Sequence, residues 1–249
     1  MIIKVNSQIG NKCDIRCYNC LFEGRIGMKF KLDIKRIIVC FLAVFGMGFF
    51  LSFLMLCGLG TDPCSFMNKA ISLRIGLSFG NWQLIINAVM LVIVLFWDRS
   101  SLGFGTIFNM VLVGYYVDFF DWLWGKIIPA HFFTDTVSKW AIFLVALLLF
   151  IISAAVYINS DMGVAPYDAL PKIITEKVSA RFPKFPRMLI RMAWDFSAIL
   201  IGTLAGGIPV IGIILMAVFL GPVISLVGKL FFGKKSSAKE TSLKFEMKV

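Results

Sequence analysis

Arg191 and Asp195 stand four residues apart in an otherwise apolar stretch, with Arg187 one turn earlier. That spacing puts Arg191 and Asp195 on one face of a helix. An ionisable group inside a membrane span costs at least ~2.5 kcal/mol and normally faces the protein interior. Two readings follow. The pair either locks its helix against neighbours, or Asp195 holds a proton or cation while Arg191 anchors an anionic solute group. Asp168 is a third charged candidate, two residues after Pro166. A carboxylate there caps free N–H groups and meets the positive end of a helix. Two Gly-x-x-Pro motifs, Gly60 to Pro63 and Gly163 to Pro166, mark helix breaks whose exposed ends can hold a ligand. Asn87 and Asn109 lie inside apolar runs and need hydrogen-bond partners there, from another helix or from a substrate.

Other chemistry is thinly represented. Cys13, Cys17 and Cys20 have the spacing of three iron–sulfur ligands, but only a short polar tail surrounds them, so no metal or cofactor is expected. The chain has one histidine, His131, with no visible partner, and no phosphate loop or H-E-x-x-H motif. No nucleophile–base pair is evident, and the chain is not expected to be an enzyme.

The elements that must position these residues are membrane spans. Apolar residues make up 59% of the chain and charged residues 16%, against about 25% in an ordinary soluble domain. Uncharged runs cover residues 37–57, 82–97, 102–117 and 140–158, and a longer one covers 196–228. A crossing needs about 20 residues. The last run is too long for one span, so a fifth span is set at 188–204, carrying Arg191 and Asp195, and a sixth at 208–228. The count is six.

The net charge of +11 follows from topology. With the amino end inside, inner segments beyond residue 27 hold sixteen of the 25 basic residues, and outer segments hold only Lys69, Arg74, Lys126 and Lys139, beside Asp62, Asp118, Asp121 and Asp135. This positive-inside bias places both termini in the cytoplasm. It gives the basic residues a role other than nucleic-acid binding.

The chain also matches itself. Gly60-Thr-Asp-Pro63 lies over Gly163-Val-Ala-Pro166 at a shift of 103, and Gly105 and Gly114 fall on Gly212 and Gly221 at a shift of 107. Each copy reads span, Gly-x-x-Pro, short segment, span, turn, Gly-rich span. Three spans per copy invert the second relative to the first, a plan common among secondary transporters. Residues 63–75 and 166–178 are too short to cross and are read as half-helices, interfacial or re-entrant. The expected fold is an all-α polytopic membrane protein of about six transmembrane helices in two inverted three-helix repeats, each with a Gly-x-x-Pro half-helix. Residues 1–27 form a polar, cysteine-containing extension, read as disordered or non-native. Residues 28–125 and 126–232 are the two repeats, and 233–249 a basic cytoplasmic tail.

Gly58 to Pro63, Gly76-Leu-Ser-Phe-Gly80 and Gly103-Phe-Gly-Thr-Ile-Phe-Asn109, with Gly114 and Asp118, resemble the bacterial YczE/YyaS/YitT family of membrane proteins. Met162 to Asp168, Arg191-Met-Ala-Trp-Asp195, and Gly212 through Leu220-Gly221-Pro222 continue the likeness. The resemblance implies an inner-membrane protein with duplicated halves, often described as a transporter. This chain departs from the pattern at Ser65, where the first copy usually carries an acidic residue matching Asp168. The expected function is secondary transport or permeation of a small solute by alternating access. The alternative is a non-transporting scaffold, sensor or accessory subunit. The expected partners are the lipid bilayer and a small solute of unspecified identity, with a homo-oligomer left open.

Overall fold

The computed structural model describes residues 34–129, 131–182, 185–210, 212, 213, 216, 226 and 230. The cysteine-containing extension and basic tail lie outside these residues, as does most of the expected sixth span, with Gly221 and Pro222. Among the described residues the structure is helical throughout, in the order α1 (Ile34–Cys57), α2 (Pro63–Ile75), α3 (Phe79–Trp97), α4 (Phe104–Ile127), the short α5 (His131–Thr134), α6 (Thr136–Asn159), α7 (Pro166–Arg181) and α8 (Arg187–Leu204). Three of these, α1, α3 and α6, are long and apolar enough to cross a membrane.

The boundaries follow local chemistry. Asp62 caps α2, its Oδ2 accepting from the Ser65 N–H at 3.0 Å, and Gly76 closes the helix in the left-handed region at φ 72°. Ser78 caps α3, which therefore begins a turn before the apolar run. Helix α4 outlasts its run by ten residues, from Val117 to Ile127. The carboxylates expected to end it have partners instead. Asp118 Oδ2 accepts the Gly80 N–H at 2.8 Å, and Asp121 pairs with Lys69 at 3.7 Å.

Helices α1, α4 and α6 form the centre. Small residues bring them together: a Cβ on Gly46 would stand 3.3 Å from Ser153 Cβ of α6, and one on Gly48 would stand 2.5 Å from Tyr116 Cβ of α4. Phe45, Phe49, Phe53, Phe120 and Trp124 fill the α1–α4 seam, where the Trp124 indole also donates to Ser52 Oγ at 3.0 Å. Around this centre the short helices pack crosswise, α2 against α8 and α7 against α3.

Candidate functional site

The two Gly-x-x-Pro motifs form matching bends. Gly60 and Gly163 hold φ of 123° and 99°, a region that strains any residue with a Cβ. Beyond each bend, Pro63 and Pro166 occupy the first turn of α2 and α7, where their lack of an N–H costs nothing. The bends are fastened to glycines elsewhere in the chain. The Gly105 N–H donates to the Met162 carbonyl at 2.7 Å, and the Gly212 N–H donates to the Leu59 carbonyl at 3.0 Å. Around the second bend, the Val164 N–H donates to the Ser101 carbonyl at 3.2 Å and the Thr106 hydroxyl to the Val164 carbonyl at 2.8 Å. Tyr157 OH donates to the Gly105 carbonyl at 3.2 Å. Backbone that leaves the helical ladder thus finds partners within the protein.

Each short helix lies beside a long one, carboxyl end to carboxyl end. Arg74 near the end of α2 donates to the Leu204 carbonyl at the end of α8, at 3.4 Å. Lys177 of α7 sits 4.4 Å over the ring of Trp97, the last residue of α3. The amino ends of α2 and α7 lie close enough for Asp62 and Asp168 to act electrostatically on one another.

Charged side chains gather around those ends. Arg191 Nη1 donates to Asp168 Oδ1 at 2.8 Å, and Arg191 Nε donates to Asp195 Oδ2 at 3.0 Å. Tyr167 OH donates to the second oxygen of Asp195 at 3.0 Å, and its ring faces the guanidinium at 5.8 Å. Cys64, on α2, lies within electrostatic reach of Asp62, Asp168, Arg191 and Asp195. The Asn68 amide donates to its sulfur at 3.5 Å. The Arg191 and Asp168 side chains are partly exposed, at 38% and 32%.

The structure therefore joins Asp168, Arg191 and Asp195 directly and brings Pro63 and Pro166 to the same place. Asn87 and Asn109 stand apart in their bonding. Both are buried, Asn109 donates to Met47 Sδ at 3.9 Å, and among the described residues neither shares a hydrogen bond with the cluster. Sequence reasoning missed Asp62, reading it as a charge of an outer segment. Its position directly before Pro63 was the available signal, since Asp before a proline marks a helix start. Tyr167 and Cys64 carried no such signal and are found only through packing.

Apolar spanning helices, broken helices with satisfied bends and a partly buried ion-pair cluster define a helical integral membrane protein. Residues 34–229 match the family described as "Family of unknown function (DUF6198)", and the chain belongs to it. It is 29% identical over 119 residues to "Uncharacterized membrane protein YczE" of Bacillus subtilis strain 168, covering 48% of this chain and 53% of that protein. It is 27% identical over 175 residues to an "Uncharacterized protein" of Haemophilus influenzae, covering 69% and 73%. It is 28% identical over 137 residues to "Uncharacterized protein YyaS" of B. subtilis, covering 53% and 64%. The chain thus spans about half of YczE and nearly two thirds of YyaS. These relatives bear out the YczE/YyaS resemblance. No solved structure matches the chain significantly.

Proposed function

We propose that this protein is a six-span secondary transporter or permease of a small solute, built from two inverted repeats, with both termini cytoplasmic and no enzymatic activity of its own. The observation that carries this reading is a pair of equivalent backbone bonds. Leu59 and Met162 are related by the shift of 103, and Gly105 and Gly212 by the shift of 107. Gly105 binds Met162 and Gly212 binds Leu59, so each copy's bend is held by the other copy's third span. The side-chain surroundings repeat as well. Cys40 Sγ lies beside Gly105 and Phe143, its equivalent at the shift of 103, lies beside Gly212. A pseudo-twofold relation between inverted copies produces such reciprocal contacts, and chance apolar matching does not.

On this reading α2 and α7 are re-entrant half-helices, and the cluster at their amino ends is the solute site, as in other transporters with broken helices. Proteoliposomes containing the purified protein should move a labelled solute, and Arg191→Ala with Asp195→Asn should abolish that flux. Unchanged flux in the double variant would overturn the assignment of the site. One observation favours the scaffold or accessory-subunit reading. Arg191 already has two carboxylate partners, the arrangement of a structural clamp. That reading predicts no flux for any solute, and loss of assembly in the same variants.

A further inference from the structure

An open groove of about 320 Å³ runs between α7 and α8. Leu189, Ala193 and Ser197 follow one another at four-residue steps on α8, so they form one row about 12 Å long. The short side chains of Ala193 and Ser197 leave the row hollow, and Ile174 of α7, Phe185 of the connection and Trp194 wall it. The Ser197 hydroxyl donates to the Trp194 carbonyl at 2.6 Å, which leaves a lining suited to hydrocarbon. The described part of the expected sixth span does not fill it. Met216 is buried in the central cluster and Gly212 lies against Leu59 and Phe143.

The groove begins just below a membrane surface. Trp97 is exposed at the end of α3, a helix long and apolar enough to cross, and tryptophan at a span end marks the interface. Lys177 covers its ring at 4.4 Å. Earlier in α7, Ala169, Leu170 and Ile173 pack on Val94, within α3, so α7 descends from that surface and Ile174 stands a turn beneath Lys177. Around the mouth of the groove, Phe182, Phe185 and Leu189 are exposed apolar side chains.

The charge at this end is unbalanced. The end of α3 and the outer part of α7 bring Arg99, Lys172, Lys177 and Arg181 against Asp98 and Glu176, four positive charges to two. The sequence adds Lys184 and Arg187 on the way into α8. Excess cations at the surface with an apolar groove directly beneath match one kind of molecule, a phosphate carrying a hydrocarbon chain. We propose that the groove binds an anionic phospholipid of the leaflet at that end, its phosphate at Lys177 and Arg181 and one acyl chain along Leu189, Ala193 and Ser197. The lipid complements the basic surface and fills the groove with one molecule. The proposal is separate from solute transport and needs only that the amino half of α8 lies in the bilayer.

The test is thermal unfolding of the purified full-length protein in a non-ionic detergent, with dioleoyl phosphatidylglycerol, dioleoyl phosphatidylcholine or glycerol phosphate. A ligand that binds only the folded state raises the unfolding temperature by mass action. Phosphatidylglycerol should do so saturably. Phosphatidylcholine, with the same chains and no net charge, should do so less at every concentration, and glycerol phosphate, without chains, should not. Lys177→Gln with Arg181→Gln should weaken the apparent affinity for phosphatidylglycerol by roughly 25-fold, about fivefold for each basic residue at an anionic surface. Ala193→Phe keeps every charge, fills the row and should remove the response. Equal responses to the two phospholipids would overturn the inference. So would a response to glycerol phosphate matching that to phosphatidylglycerol, or an unchanged phosphatidylglycerol response in either variant. Phosphatidylglycerol binding without solute flux would leave this inference standing and sink the transport reading. Solute flux without that binding would do the reverse.

Discussion

Alanine at Gly103 or Gly212 probes the contacts that fasten the two bends. A Cβ on Gly103 would stand 2.2 Å from the Met162 carbonyl oxygen and 2.8 Å from its carbon. A Cβ on Gly212 would stand 2.2 Å from the Leu59 oxygen and 2.8 Å from Phe143 Cζ. Carbon contacts are optimal near 3.5 Å, so the backbones must separate by about 1 Å. That movement stretches the 2.7 Å Gly105–Met162 bond in one case and the 3.0 Å Gly212–Leu59 bond in the other. Overpacking costs about 1–3 kcal/mol and a buried bond left unmade costs about 1–3 more. Each variant should therefore lose roughly 2–6 kcal/mol. Gly125 supplies the contrast, since a Cβ there meets nothing within 4 Å. Alanine at that helical position should gain about 0.5–1 kcal/mol. Thermal unfolding followed by tryptophan fluorescence in one detergent gives the comparison. The reasoning is refuted if Gly103→Ala or Gly212→Ala is as stable as Gly125→Ala.

Arg191→Met strands Asp168 and Asp195, and should cost about 1–3 kcal/mol, less than the full price of a buried pair because Arg191 is 38% exposed; adding Asp195→Asn should restore part of the loss in the same unfolding assay. Tyr167→Phe removes only the 3.0 Å bond to Asp195 and should lower stability by about 1–2 kcal/mol, with α7 and α8 still docked by trypsin resistance. Asp118→Ala frees the Gly80 N–H, held at 2.8 Å between α3 and α4, and should cost about 1–2 kcal/mol. Finally, a disulfide between Gly46→Cys and Ser153→Cys, where the Cβ atoms would be 3.3 Å apart, should leave solute flux intact in proteoliposomes. Arrest of flux by oxidation, reversed by reductant, would show that α1 and α6 move against each other.

The sequence announces its local features and hides its partners. Residues 63–75 are readable as a short helix because Pro63 starts it and Gly76 ends it, and α2 has those bounds. Helix α7 runs three residues beyond the expected 178 because no breaker intervenes before Phe182. The Arg191–Asp195 pair follows from helical spacing alone. Its third member does not, because the separation of 23 residues between Asp168 and Arg191 has meaning only once the amino end of α7 packs on α8. The same holds for the glycines. Their recurrence is visible in the chain, but the carbonyl each one meets belongs to a distant segment. Asp62 was hidden by its neighbourhood. A charge beside an apolar run looks like a boundary marker until the chain folds back and buries one of its oxygens.

The crosswise packing also constrains how an alternating-access cycle could work. If the two proposed repeats rocked as whole blocks, α2 would leave α8 and α7 would leave α3, since each of these contacts would join one proposed repeat to the other. Gly202 and Gly207 of the α8 end meet Phe66 and Ala70 of α2 closely enough that a Cβ would clash, and Val94 of α3 shares a buried cluster with Ala169, Leu170 and Ile173 of α7. Close-packed contacts of this kind resist continuous sliding. The pair α2 with α8 is therefore one natural rigid unit, while α3 with α7 is tied to the centre of α1, α4 and α6 through the close Gly80–Gly114 contact and the Gly80–Asp118 bond between α3 and α4. Motion between them would turn about the bends at Gly60 and Gly163, two of the places where the backbone leaves helical geometry. In such a cycle the ion pair of Asp168 with Arg191 and the Tyr167–Asp195 hydrogen bond must break and re-form, because both join α7 to α8.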